Sequence, residues 1–581
     1  MTTYDLVIRG AQIVDGSGSS PFEGDVAVLD GRIAAVGRFD GEGREEIDAR
    51  GLIVTPGFVD IHTHYDGQAT WDPYLTPSSL HGVTSIVFGN CGVGFAPVAP
   101  GRQQFLIELM EGVEDIPGTA LSEGMQWEWE TFPEFLDAIE KRRFAVDIGT
   151  QVAHGPVRAY VMGERGAKNE PATPQDIERM SAIVEEGLQA GALGFSTSRT
   201  IVHRAIDGEP VPGTFAAEDE VFGIGRALQR AGAGIFELAP AGTVGEDELI
   251  KPHKELDWML RLSAEIGRPI TFAMVQNDQA PDLWREMLEA SAAAVANGSQ
   301  VYPQVAGRPG GVIMGLEPGF HPFATRPSFI EVADLPLPER VERLRDPARR
   351  ARILAEAPAT EDPMASSVDT SRIFPVTDPP NYEPGPEESI TGLAKARDVG
   401  PEELMYDLLL EDEGKALFFF HLLNYSNGNG DHLLEMLRHP RAALGLSDGG
   451  AHCGMICDAS MPTYMLTHWA RDRDGERVSL EFVVKRQTRD TAELYGLLDR
   501  GLVAEGMRAD LNLIDFERLR LHPPEMRSDL PAGGKRFVQG AEGYVATIVA
   551  GQIVSREGEA TGQLPGRLVR GGQADPRAAN A

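Results

Sequence analysis

A chain of 581 residues, 42% of them hydrophobic, is several domain lengths long and can bury a large core. Its 53 basic and 88 acidic residues leave a formal charge of −35, a surface that repels phosphate backbones and anionic lipids, so no nucleic acid and no membrane is expected as a partner. Three cysteines, Cys91, Cys453 and Cys457, cannot form a disulfide scaffold and point to a reducing, cytoplasmic setting.

The opening MTTYDLVIRGAQIVDG alternates apolar and polar residues and lacks the basic start and apolar core of a signal peptide. No run of about 18 apolar residues that could cross a membrane follows it. Residues 3–55 hold short alternating strands with the turn signals DGSGSS and LDGRIAAVG, and residues 505–556 hold EGMRADLNLIDF and YVATIVAGQIV in the same style. The two ends predict one small β-sandwich domain, from residues 1–56 and 485–560.

Between them, over residues 57–484, strand-like runs recur: LIVTPGFVDIH (52–62), GVTSIVFGN (82–90), AVDIGTQVA (145–153), GALGFSTS (191–198), AGIFELAP (233–240), RPITFAMVQ (268–276), SQVYPQVA (299–306) and AALGLSDG (442–449). Helix-like segments such as PQDIERMSAIVEEGLQAG and EDEVFGIGRALQRAG, apolar at spacings of three and four, separate them. This alternation predicts an α/β fold, a (β/α)8 barrel of the TIM type. The Pro-, Arg- and Glu-rich stretch at about 306–415 follows the seventh strand and is expected as an insertion over the barrel mouth. Residues 561–581 read as a disordered tail.

In GFVDIHTHYDG, residues 57–67, two histidines stand one residue apart directly after an apolar run. Residues i and i+2 of a strand share a side, so His62 and His64 leave the first barrel strand together, at the C-terminal end where barrel active sites lie. Two imidazoles on one face suit a divalent metal. The bland alternative is a buried pair bonded to backbone.

PGFVDIHTH after a strand-rich N-terminal segment, GNCG after the second strand, SDGGAH at the eighth and a closing GMRADLNLID together resemble the amidohydrolase superfamily, specifically its N-acyl-D-amino-acid deacylase (D-aminoacylase) branch. The resemblance runs from about residue 3 to 556. It implies that His62 and His64 are first-strand metal ligands, that Cys91 is the thiolate ligand of this branch, and that Asp448 both contacts metal and takes the proton of the attacking water. Two imidazoles, a thiolate and a carboxylate suit Zn²⁺. The bland readings are an inert buried thiol at Cys91 and a capping role for Asp448. His452 and Cys453 read as structural.

Related deacylases also carry a histidine at the ends of the fifth and sixth strands. Here GIFELAP and ITFAMVQND have none, and Glu237 and Gln276 are the nearest polar side chains. One Zn²⁺ per chain, held by His62, His64, Cys91 and Asp448, is therefore expected, or else a site whose missing ligands come from elsewhere in the chain. His154, at the third strand end, is a further candidate better suited to a structural or substrate-facing role. His203 and His421 lie on loops with no spacing that singles them out.

The implied activity is metal-dependent hydrolysis of the amide C–N bond of N-acyl-D-amino acids or related linear amides by metal-activated water. The expected partner is the small-molecule amide alone, and assembly into a homo-oligomer is compatible with the sequence. Such a substrate carries a carboxylate that a bidentate guanidinium holds well. Arg199 and Arg204 in STSRTIVHR and Arg158 are candidate holders, equally readable as surface arginines paired to acids. His154 and Glu237 complete the candidate substrate-facing set, and aromatic and proline residues of the insertion are expected around the acyl group. Two alternatives stand beside this: a cyclic-amide, hydantoinase-like hydrolase, whose modified fourth-strand lysine is missing from GALGFSTS, and a scaffold that keeps the fold without the chemistry.

Overall fold

At Gly57 the chain passes from one sheet to another. The computed structural model describes residues 2–242, 251–359 and 369–580, and in it the run LIVTPGFVDIH is divided. Ile53–Pro56 pairs with Leu511–Ile514 in a terminal sheet, and Phe58–Asp60 opens the barrel. A β-carbon at Gly57 would stand 2.1 Å from Thr84 Oγ1. Any side chain there would force the first barrel strand away from the second.

Strands from both ends of the chain build the terminal sheet. Its order is Glu559–Ala560, Gln552–Arg556, Tyr544–Val549, Leu511–Ile514, Ile53–Pro56, Thr3–Ile13, Phe22–Leu29, Arg32–Gly37, with Glu42–Asp48 also paired to Thr3–Ile13. Alternation places Leu6 and Ile8 in a core shared with Val26, Val28, Leu511, Leu513 and Ile548. The register shifts between Ile8 and Ala11, and Ala11 and Ile13 thereby stay in the same core.

The eight runs marked by the sequence form one parallel sheet in chain order: Phe58–Asp60, Val83–Phe88, Asp147–Ala153, Gly194–Ser198, Ile235–Ala239, Ile270–Ala273, Val301–Val305 and Ala443–Leu444. The two ends of the sheet meet. Thr63 bridges Gly449 in parallel, the His64 N–H donates to the Gly449 carbonyl at 2.8 Å, and the Asp448 N–H donates to the His62 carbonyl at 3.2 Å. Barrel closure thus brings the segments after the first and last strands side by side.

The helices between strands follow local rules. Pro174–Ala190 starts with a Thr173/Asp176 capping box and a proline in its first turn, ends on Gly191 at φ 117°, and buries Met180, Val184 and Leu188. Burying each of those side chains contributes about 1.5–3 kcal/mol. No described helix is long and apolar enough to cross a membrane.

The insertion after the seventh strand is a unit with its own core. Gly310–Met314, Phe418–Leu423 and Ile373–Pro375 form a three-stranded antiparallel sheet, packed with Val312, Phe323, Phe329, Ile353, Leu404 and Phe418. It therefore reaches beyond residue 415, because its closing strand, FFFHLL, pairs within the insertion and not in the barrel. The expected disorder after Gly562 is corrected. The Ile148 N–H donates to the Arg567 carbonyl at 2.9 Å and the Val569 N–H to the Ile148 carbonyl at 2.7 Å, next to the point where the fourth strand begins opposite Gln151. Backbone pairing and the burial of Leu568 and Val569 order this segment.

Candidate metal centre

His62 and His64 leave the first strand with ring centroids 5.5 Å apart. Gln304 Oε1, from the seventh strand, lies 2.8 Å from His62 Nδ1. With that oxygen as acceptor, the His62 proton sits on Nδ1 and the Nε2 lone pair is free. Nε2 is 3.4 Å from Cys91 Sγ and 3.3 Å from Asp448 Oδ1. His64 Nε2 is 3.7 Å from the same Asp448 oxygen, and its Nδ1 is 3.3 Å from Glu114 Oε1. One donor atom each from His62, His64 and Cys91 lies within 4.8 Å of the others.

Strained backbone supports this meeting. Cys91 sits at φ 55°, and on the closing loop Asp448 and His452 sit at φ 47° and 49°, a left-handed region that side chains with a β-carbon seldom occupy. The Cys91 N–H donates to Glu237 Oε2 at 2.9 Å. A β-carbon on the next residue, Gly92, would stand 2.7 Å from the Ser198 nitrogen, so the GNCG turn can press against the fourth strand only with glycine there.

Acidic side chains crowd the surroundings. Asp60, Asp66, Glu114 and Glu237 are all buried, and burial raises Asp60 and Asp66 to about 7 and Glu237 to about 8. Asp448 is different: burial opposes its charge, yet contact with His64 and His62 holds it below the usual carboxylate range. Burial likewise opposes a charge on His64, but Glu114 and Asp448 outweigh it and raise the group to about 9, whereas burial lowers His62 to about 4. Burial first, and then the Glu237 and Glu114 charges, push the Cys91 thiol well up. Such a thiol loses its proton readily only where a bound cation stabilises the thiolate, the proton passing to water. Buried Glu237 Oε1 has no hydrogen-bond partner, and Glu114 Oε1 meets only the His64 ring at 3.3 Å. An excess of buried acid, the unpartnered Glu237 oxygen and a His-His-Cys donor group fit a divalent metal.

A cavity of about 160 Å³ opens beside the donors, and its walls include Val202, Val275, Leu423, Asn424, Leu446 and Met461. Ala239 and Ala273, the last residues of the fifth and sixth strands, also face it. Those strands therefore present methyl groups to the cavity. Glu237 supports Cys91 through its backbone, and the Gln276 side chain is held by Ser426 and the Pro281 carbonyl.

The expected carboxylate holders lie elsewhere. Arg158 is buried against Glu220 and the Gly166 and Glu170 carbonyls, and His154 joins the same acid at 3.0 Å, so both serve the packing behind the third strand. Arg199 Nε is held by Glu255 at 2.7 Å while its Nη1 donates to the Ala216 carbonyl, and Arg204 donates to the Gly208 carbonyl. None of the four lines the cavity. Nor do the insertion's aromatics: it contributes Gly310, Leu423 and Asn424, while Phe323, Phe329 and Phe418 are spent on its own core. His203 and His452, one unmarked by spacing and the other read as structural, do line the cavity. Sequence reasoning also missed Gln304 and Glu114. Gln304 had a signal, a polar residue inside a buried barrel strand; Glu114, at the end of helix Gln103–Glu114, had none.

A sequence profile of the amidohydrolase family matches residues 45–555. The chain belongs to the amidohydrolase family. The reading of this amidohydrolase as a metal-dependent hydrolase of C–N bonds stands with that membership. An N-acyl-D-aspartate deacylase of Alcaligenes xylosoxydans xylosoxydans is 26% identical over 98% of this chain and 96% of its own. Two solved structures share the fold. One is a D-aminoacylase from work on one-metal activation and second-metal attenuation of its binuclear centre (TM-score 0.63, 23% identity, 98% of this chain and 100% of that one). The other is an N-acyl-D-glutamate deacylase of Bordetella bronchiseptica with zinc and a phosphonate that mimics the tetrahedral intermediate (TM-score 0.65, 22% identity, 98% and 100% covered).

Proposed function

We propose that this amidohydrolase cleaves the amide C–N bond of N-acyl-D-amino acids or related linear amides, with one Zn²⁺ per chain held by His62, His64, Cys91 and Asp448. The observation that carries the reading is the meeting of the three donors within 4.8 Å, with Asp448 Oδ1 3.3 Å from His62 Nε2, at the C-terminal end of the barrel. The deacylase relatives support the reaction class, and the zinc complex of the Bordetella enzyme supports the ion. Zinc, when bound, polarises the scissile carbonyl and lowers the pKa of water toward ~7.

The chain's own groups do the rest. Asp448, ionised because two histidines face it, accepts the proton of the attacking water and hands it to the departing nitrogen. Gln304 fixes the His62 tautomer, and Glu237 holds the Cys91 backbone in its left-handed turn. The enzyme acts on a small molecule in the cytoplasm, alone or as a homo-oligomer.

Elemental analysis beside a panel of N-acetyl-D-amino acids, N-acetyl-L-amino acids and simple N-acyl amines tests this. About one zinc per chain is expected, with hydrolysis lost on chelation and restored by zinc. A chain that holds no transition metal and gains no hydrolysis from zinc is a scaffold.

A further inference from the structure

The cavity beside the donors has an unusual charge balance for an enzyme of acyl-amino acids. Among the described residues, neither Lys nor Arg lines it. The sequence of the two internal segments outside the described residues, TVGEDELI at 243–250 and TEDPMASSV at 360–368, contains neither Lys nor Arg. Arg199 is committed to Glu255 and the Ala216 carbonyl. Arg308, behind the wall, is fully buried against Asp458 at 2.6 Å and donates to the Cys457 carbonyl.

The remaining basic groups on the cavity, apart from the donors, are His203 and His452. His203 Nδ1 is taken by Ser198 Oγ at 3.0 Å, and His452 Nε2 stands 3.7 Å from Glu114 Oε2. The rest of its wall is apolar or neutral except for the acids Glu114 and Asp458, and its volume of about 160 Å³ is below the roughly 300–1,000 Å³ usual for ligand clefts. A carboxylate placed here would lose water and face Glu114 and Asp458 with no guanidinium to hold it. The formal charge of −35 works the same way at a distance, since an acidic surface depletes anionic substrates near its clefts.

We infer that the substrate of this chain is a compact linear amide whose amine half carries no carboxylate, an uncharged N-acyl amine. The inference rests on the hydrolase reading above and narrows it to the neutral members of the linear amides.

The test uses the zinc-loaded full chain and three substrates with one acyl group and one aliphatic side chain: N-isopentylacetamide, N-acetyl-D-leucine and N-acetyl-L-leucine. Expected is a kcat/KM at least about tenfold higher for the neutral amide than for either leucine derivative, the scale of an unpaired buried charge. A second arm restores the missing cation at the cavity rim. Val202 is 49% exposed, so Val202→Arg threatens no core, and it should move the ratio toward the carboxylated substrates by about tenfold. Equal rates, or a preference for either leucine derivative, would overturn the inference while leaving the hydrolase standing. Hydrolysis of none of the three by zinc-loaded protein would overturn both readings.

Discussion

Around the barrel mouth, the segments after strands one, two and eight carry His62, His64, Cys91 and Asp448, whereas strands five and six end in Ala239 and Ala273. Both arcs ride on the same parallel sheet and face the same cavity. The difference shows how little scaffold a metal site needs. Strand geometry fixes where a side chain points, and the residue type at each strand end then decides whether the arc offers lone pairs or methyl groups. One donor-rich arc facing an apolar arc is the arrangement on which the proposed single zinc and neutral substrate rest.

The sharpest way to break the comparison is to remove donors from the rich arc. Cys91→Ser replaces the thiol by a harder and far less acidic donor, and His62→Ala deletes an imidazole whose tautomer Gln304 sets. Each should lose most of the metal and, with it, nearly all hydrolysis. Cys453→Ser and Cys457→Ser, equally conservative in volume and both buried away from the donors, should keep about one zinc. Full metal in Cys91→Ser would dismantle the four-ligand site.

The opposite experiment adds donors to the poor arc. Ala239→His with Ala273→His puts two imidazoles at the strand ends that now present methyl groups to the cavity. Zinc content should rise from about one to about two per chain. An unchanged stoichiometry would show that the fifth and sixth strand ends lie too far from the existing donors to share a centre.

Next in size is the proton. Asp448→Asn keeps the shape and an oxygen beside His62 but removes the base, so zinc should largely survive while turnover falls by roughly 10²-fold or more. Near-normal turnover would move the base to another buried carboxyl. Glu237 is the first to test, since burial keeps it protonated up to about 8, and a rate that depends on it would rise only above that pH.

Strand-end residues were the legible part of this molecule. Eight apolar runs, an HxH pair and an aspartate after the last run are local patterns, and apart from the first half of the first run, which joins the terminal sheet, they lie on the barrel because a strand end is fixed by its own few residues. What stayed hidden is long-range. Glu114 reaches His64 from a helix end, and nothing within ten residues of it marks a buried acid. Arg158 and Arg199 looked available because a sequence does not display Glu220 and Glu255, the acids that occupy them. The ordered tail escaped for a related reason: its bonds to Ile148 are backbone bonds, and its apolar signal is only the short pair Leu568 and Val569, buried against distant parts of the chain.

The smallest effect tests that correction. Arg199 follows the fourth strand, on the same face of the barrel as the donors, and from sequence it was a holder for a substrate carboxylate. In the fold its Nε meets Glu255 Oε2 at 2.7 Å, its Nη1 donates to the Ala216 carbonyl, and its guanidinium lies 5.6 Å from the Trp258 ring. All of these partners lie outside the cavity. Arg199→Gln removes the ion pair and leaves Glu255, itself buried, with a poorer partner, which should cost about 1–3 kcal/mol of stability. Kinetic constants should not follow: KM for any hydrolysed amide is expected within about twofold of the parent, because the side chain touches neither the donors nor the cavity wall. Thermal unfolding and KM measured on the same preparation separate the two roles. A KM raised about tenfold for carboxylated substrates alone, with stability unchanged, would return Arg199 to the substrate and give the apolar arc the anchor it otherwise lacks.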